Sequence, residues 1–278
     1  MNIRKIALSC ALLLTLPLAG CSQSGKTENT EKTDAPATST ESTSTSTSTA
    51  SESTDSGELT VFAAASLNTA FPQIAQDVFA KKYPHVKVNF SFEGSSSLAE
   101  KILAGADVDV FASADEKNMS KVKEFAPTPV TFTKNTLRLI VPTGNPAKIT
   151  NLESVNGTKF VVCAPQVPCG RVTGELAKAK GITFQPVSEE QSVTDVRTKV
   201  ESGEADAGLV YYTDALLAKG KVDIVDIPGM EDVGTSYQIA ALSGSTHSDW
   251  AAAFLESVSS PEGQKILATY GFGTGNGK

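Results

Sequence analysis

The stretch Leu59-Thr60-Val61-Phe62-Ala63-Ala64-Ala65-Ser66-Leu67 constrains this chain more than any other. A short apolar run of β-favouring residues ends in three alanines and a serine. Apolar residues then recur at helical spacing, at Leu67, Ala70, Phe71, Ile74, Ala75, Val78 and Phe79. Ser66 therefore stands where a strand hands over to a helix N-terminus, whose first backbone N–H groups have no intrahelical partner. The alanines before it leave room for another group to approach the backbone. A second copy of the arrangement follows: a strand over 86–92, then Glu93-Gly94-Ser95-Ser96-Ser97, then a helical run over 98–103. Two serine-marked helix starts behind neighbouring strands read as a cradle for an anion.

The alternation of strand and helix continues. Strands are expected over 108–112, 136–141, 160–163, 183–187, 207–211 and 239–243, and helices over 116–125, 170–180, 193–201, 250–257 and 262–270. Pro142-Thr143-Gly144-Asn145-Pro146 breaks the series in two. This pattern predicts an α/β chain with mostly parallel sheets, in two lobes facing a cleft. In such sheets ligands bind beyond the carboxyl ends of the strands, where the serine and glycine signals fall. The expected first lobe is 58–137 plus 240–278 and the second is 138–239, with a hinge crossed near 136–142 and again near 236–243.

The ends of the chain differ in character. Arg4 and Lys5, an apolar core over 6–18 and Leu18-Ala19-Gly20-Cys21 read as an export signal over 1–20. Its ending resembles a lipobox, which makes Cys21 the expected lipidated first mature residue and implies an anchor on the extracytoplasmic face of the membrane. The core is too short for a permanent membrane span. Residues 21–57 are dominated by Ser, Thr and charged residues, a composition that cannot offset its ordering entropy, so a disordered tether is expected. The leader carries two cations and the tether two lysines against six carboxylates, so the total charge of −7 leaves −5 for the remainder. An acidic domain without basic clusters is a poor nucleic-acid binder, and it must hold an anion by local dipoles. Cys163 and Cys169, six apart in an exported domain, favour a small-loop disulfide. With only His85 and His247 available, a zinc site is not expected.

Five segments, in order and in spacing, resemble the molybdate-binding proteins of bacterial ABC importers. They are Val61 to Leu67; Phe92-Glu93-Gly94-Ser95-Ser96-Ser97-Leu98-Ala99; Asp107-Val108-Asp109-Val110-Phe111-Ala112-Ser113-Ala114-Asp115; Val167-Pro168-Cys169-Gly170-Arg171; and Gly208-Leu209-Val210-Tyr211. Tyr270-Gly271-Phe272 closes the match. The resemblance implies a two-lobed periplasmic-binding-protein-like fold of type II. It also implies a monomer that binds molybdate or tungstate, without cofactor or catalysis, and delivers it to an ABC permease. Carried over by position, Ser66 and Ser95 would give hydroxyls and amides, Cys169 and Val196 backbone amides, and Tyr211 its hydroxyl. A donor-only site suits anions that are fully deprotonated at neutral pH; phosphate keeps a proton and would leave a donor opposed. Glu93 departs from the small residue usual in that family and is expected to face solvent.

Each residue also has a plainer reading. Ser66 caps a helix, the Ser95–Ser97 run is polar loop, Tyr211 is strand-end packing, and Val196 is an ordinary helix valine. Their joint placement in one ordered pattern is what favours the site. A sulfate or organic-anion binder of the same fold is the alternative, with Arg171 the one nearby residue able to fork a carboxylate. A serine hydrolase would need His85 or His247 to reach Ser66 or Ser95, and the chain has no Gly-x-Ser-x-Gly elbow.

Overall fold

A computed structural model describes residues 56–274; the leader, Cys21 and nearly all of the tether lie outside the described residues. Two parallel trios of strands make the frame. In the first, β1 (Gly57–Ala64) lies between β2 (Val86–Glu93) and β3 (Val110–Ser113), with Ala63 opposite both Phe92 and Ala112. In the second, β5 (Phe160–Cys163) lies between β6 (Ser188–Glu190) and β7 (Ala207–Tyr211).

Two long strands join the trios, and they run antiparallel to their neighbours. β4 (Val130–Pro142) pairs through its first half with β9 (Gly234–Ala241) and through Leu137–Ile140 with β7. β9 in turn pairs with β3, so the order runs β2-β1-β3-β9-β4-β7-β5-β6. β8 (Val222–Val225) and β10 (Gly273–Thr274) add to β4. The parallel pairing read from the sequence holds inside each trio, and the linking strands make the sheet mixed. β9 pairs with β4 over Gly234–Ile239 and with β3 over Gln238–Ala241.

The helices follow their strands. The first begins with a tight turn at Ala65–Leu67, continues as α1 (Ala70–Ile74), widens by one residue per turn over 75–79, and ends as α2 (Ala80–Lys82). Pro72 is tolerated because it falls in the first turn, where its missing N–H has no partner to lose. The remaining helices are α3 (Ser95–Leu103), α4 (Glu116–Lys121), α5 (Pro168–Lys180), α6 (Val193–Glu201), α7 (Tyr212–Leu217), α8 (Ser248–Ser259) and α9 (Pro261–Thr269).

The strand expected over 183–187 is not formed. Pro186 cannot donate to a ladder, and pairing with β5 begins two residues later at Ser188. Phe184 still packs on Phe160, with ring centroids 5.4 Å apart. The main core lies beneath both trios. Phe71 meets Phe254 edge-on at 5.5 Å, which fastens the last helices onto the first trio.

Candidate functional site

Three helical starts meet at one small cavity, and none of them has a side-chain cap. The turn after β1 begins behind Ala64, α3 behind Gly94 and α5 behind Val167, residues with no side-chain acceptor to offer. Three other helices, α4, α6 and α9, carry side-chain caps. Asp115 accepts from the Asn118 amide at 2.8 Å, Ser192 from the Asp195 amide at 3.2 Å, and Ser260 from the Gly263 amide at 3.0 Å. The uncapped starts leave first-turn amides, and the positive ends of the helix dipoles, to whatever occupies the cavity.

Ser66, Ser95, Cys169 and Tyr211 all line this cavity, four of the five positions named from the sequence. The fifth, Val196, is fully buried one turn into α6 and is not among the lining residues; Val193 lines the cavity instead. The Val196 amide donates to the Ser192 carbonyl at 3.4 Å, a long first bond of the helix.

Three hydroxyls line the cavity. Ser95 Oγ accepts from the Ala114 amide at 2.9 Å, which leaves its own proton free. Ser66 Oγ lies 2.7 Å from Tyr237 Oη. Tyr211 Oη is buried without a hydrogen-bond partner. Burial, and after it the neighbouring Tyr237, push the Tyr211 phenol well above its usual pKa, so it keeps its proton and can only offer it. A buried hydroxyl left unpaired costs about 1–3 kcal/mol, which marks Tyr211 as a group awaiting an acceptor.

Close packing fixes the backbone around these groups. Cys163 and Cys169 are bonded, with Cα atoms 5.7 Å apart, which ties the second residue of α5 to the end of β5. A Cβ at Gly170 would come within 2.0 Å of the Ala164 carbonyl oxygen, so only glycine lets α5 start this close to the strand. Gly94 is equally constrained: a Cβ there would meet the Gln191 carbonyl oxygen at 2.1 Å, where the start of α3 touches the loop ahead of α6.

The charges nearby are spent on one another. Glu93 edges the cavity, and its carboxylate pairs with Lys101. Arg171 donates from Nε to the buried Asp115 at 3.0 Å, from Nη1 to Glu175 at 2.6 Å and from Nη2 to Thr235 Oγ1 at 3.0 Å. Three of its five N–H donors, one on each nitrogen, are thus committed within the protein.

Neither histidine lines the cavity. His85 is exposed just ahead of β2, and His247 stacks on Trp250 at 4.7 Å and sits 3.3 Å from Asp109. Ser66 and Ser95 thus lack a histidine base. The described residues contain no group of three metal-ligating side chains. A larger recess of about 830 Å3 opens beyond Asn135 and Thr235, but its three cations (Lys117, Lys134, Arg171) face three carboxylates (Glu116, Glu231, Asp232). It has no net charge to attract an anion.

Sequence reasoning missed the groups behind Ser66: Tyr237, Asn135 and Thr213. Asn135 Nδ2 donates to Thr213 Oγ1 at 2.8 Å and to Tyr237 Oη at 3.3 Å. The available signal was Asn135 itself, a polar residue disfavoured in strands yet placed in the middle of β4.

The pattern of the bacterial extracellular solute-binding proteins matches residues 59–273. Over 219 residues the chain is 44% identical to the molybdate-binding protein ModA of Mycobacterium bovis, covering 77% of this chain and 84% of that protein. Among solved structures, the periplasmic molybdate-binding protein of Azotobacter vinelandii superposes with a TM-score of 0.65 at 22% identity, over 77% of this chain and 98% of that one. The tungstate ABC transporter structure from Geobacter sulfurreducens gives a TM-score of 0.61 at 20% identity, over 77% and 98% of the two chains. By fold and by sequence, the chain belongs to the bacterial extracellular solute-binding protein family.

Proposed function

We propose that this protein captures molybdate, and tungstate with it, outside the cytoplasmic membrane and delivers the anion to the permease of an ABC importer. The observation that carries this reading is the donor-only character of the cavity. Three hydroxyls and the uncapped starts of α3 and α5 converge there, and the flanking charges are already paired. Molybdate and tungstate carry no proton at neutral pH, so each oxygen accepts and no donor is opposed. The identity to molybdate-binding relatives selects these two over sulfate, which the donor set alone admits.

In this reading Ser66 and Ser95 each give a hydroxyl and an amide, Cys169 an amide and Tyr211 its hydroxyl. The start of α6 gives the remaining amide, at Val196 or from the residues just ahead of it. The cavity has room for about one water, some 10 Å3, so a five-atom anion enters only when the walls part. The two halves, 58–137 with 240–278 and 138–239, would open about β4 and β9 and close over the anion. The protein would act as a monomer, held at the membrane by lipid on Cys21 with 22–57 as its tether.

Titration calorimetry of the full chain after exhaustive dialysis tests the reading. Molybdate and tungstate should bind one-to-one, with no heat from phosphate. Heat from sulfate in place of molybdate would move the function to sulfate uptake, and silence with all four anions would remove the site.

A further inference from the structure

Tyr237 and Asn135 do not line the cavity, yet they are hydrogen-bonded to Ser66, which does, Tyr237 directly and Asn135 through Tyr237. The Thr136 amide donates to Asn135 Oδ1 at 3.0 Å, which fixes the orientation of that side-chain amide and commits Nδ2 to donating. Nδ2 gives one hydrogen to Thr213 Oγ1 and the other to Tyr237 Oη. Tyr237 Oη therefore accepts from Asn135 and has its own proton to place, and Ser66 Oγ, 2.7 Å away, is where it goes. The reverse assignment would strand the Tyr237 proton in a fully buried position with no acceptor, at substantial cost. Burial raises the Tyr237 phenol far above its ordinary pKa, so the proton stays in the chain.

We propose that the run Thr136 amide, Asn135, Tyr237, Ser66 is a one-way hydrogen-bond relay that locks the Ser66 hydroxyl as a donor into the cavity, and that Asn135 and Tyr237 are thereby the positioning residues that exclude protonated oxyanions. The proposal rests on the oxyanion reading of the site. A free serine hydroxyl can rotate, donating to a bare oxygen or accepting from a P–OH group. With one lone pair taken by Tyr237, Ser66 must turn its own proton elsewhere, and accepting from a ligand on its second lone pair would leave that proton buried without a partner. The Ala114 amide donates to Ser95 Oγ in a similar way, but removing that donor takes a proline that disturbs the buried backbone, whereas side-chain substitution removes the relay.

The test measures selectivity rather than affinity alone. Wild type, Tyr237→Phe and Asn135→Asp, each as the full chain, are titrated with molybdate, sulfate and phosphate at pH 7, and folding is followed by thermal unfolding. Tyr237→Phe keeps the ring and its packing but frees Ser66 to accept. Its preference for the bound dianion over phosphate should fall by about 10-fold or more, one hydrogen bond's worth of discrimination. Asn135→Asp turns the donor at the head of the relay into an acceptor, so Tyr237 swings toward it and Ser66 presents lone pairs; dianion binding should fall further than in Tyr237→Phe.

A wild type that binds molybdate, beside folded variants whose molybdate-to-phosphate ratio is unchanged, overturns the relay while leaving the function intact. A wild type that binds sulfate but not molybdate overturns the molybdate reading, and the sulfate-to-phosphate ratio then decides the relay. Loss of affinity for all three anions in equal proportion reduces Tyr237 to packing and refutes the proposal.

Discussion

Replacing Tyr211 with phenylalanine should move binding and stability in opposite directions. The ring, fully enclosed at the end of β7, keeps its contacts; the change is one oxygen that has no hydrogen-bond partner. An anion bound in the cavity would lose one charge-assisted hydrogen bond, about 1.5–3 kcal/mol, which is roughly 10- to 140-fold in affinity. The unliganded chain should gain, because a buried hydroxyl without a partner costs about 1 kcal/mol or more. For a domain of this size that raises the melting temperature by about 2–4 °C per kcal/mol. Melting curves recorded with increasing molybdate should therefore cross. The variant is the more stable at zero ligand, and wild type overtakes it once linkage adds about 2.7 kcal/mol at a hundred times its dissociation constant. Calorimetry gives the affinities directly. A variant that melts well below wild type without ligand and binds molybdate with unchanged affinity would refute the reasoning, since the hydroxyl would then be stabilising the fold and ignoring the anion.

Two further outcomes are expected. Reduction of the Cys163–Cys169 bond, or the double Cys→Ser variant, removes a constraint on a loop spanning six positions; it should cost about 2 kcal/mol and also weaken molybdate binding, because the Cys169 amide loses its anchor. Denaturant unfolding and calorimetry with and without reductant read both effects. Asp214 is fully buried, with its nearest cation, Arg197, 3.7 Å away, and burial, partly opposed by Arg197, raises its pKa to about 7. The folded state holds this proton over a range where the unfolded state has lost it, so stability should decline from about pH 4 to pH 7 and level off above. Urea midpoints across that range should show the decline in wild type and a flatter profile in Asp214→Asn.

The sequence was most legible where one period governed a whole segment. β5, α6 and β7 fall at the boundaries that alternation and capping residues indicate, because each is buried on its expected faces and no neighbour competes. β4 was expected over 136–141 and extends back to Val130, since polar Thr131, Thr133 and Asn135 find partners in β9 and β10 that no local pattern records. α7 and β8 went unread: α7 starts at Tyr212 with no break after β7, and β8 leaves Asp223 and Ile224 exposed, so neither shows a clean pattern. At the site, Ser66, Ser95, Cys169 and Tyr211 could be placed from strand ends and helix starts. The relay behind Ser66 joins residues 171 and 102 positions apart, and such pairings exist only in the folded chain.

The long strand β4 has a consequence for how the chain comes into being. Its partners are made late: β7, β8, β9 and β10 lie some 70 to 140 residues downstream, as does the β9 edge that completes β3. A growing chain that ends before Gly234 therefore exposes an unpaired edge on β3, a template for aggregation. Neither half of the sheet can finish early, so folding has to wait for nearly the whole chain and should be slow, as expected when non-local pairings dominate. For a member of an extracellular protein family, this order of events keeps the chain unfolded for longer after synthesis.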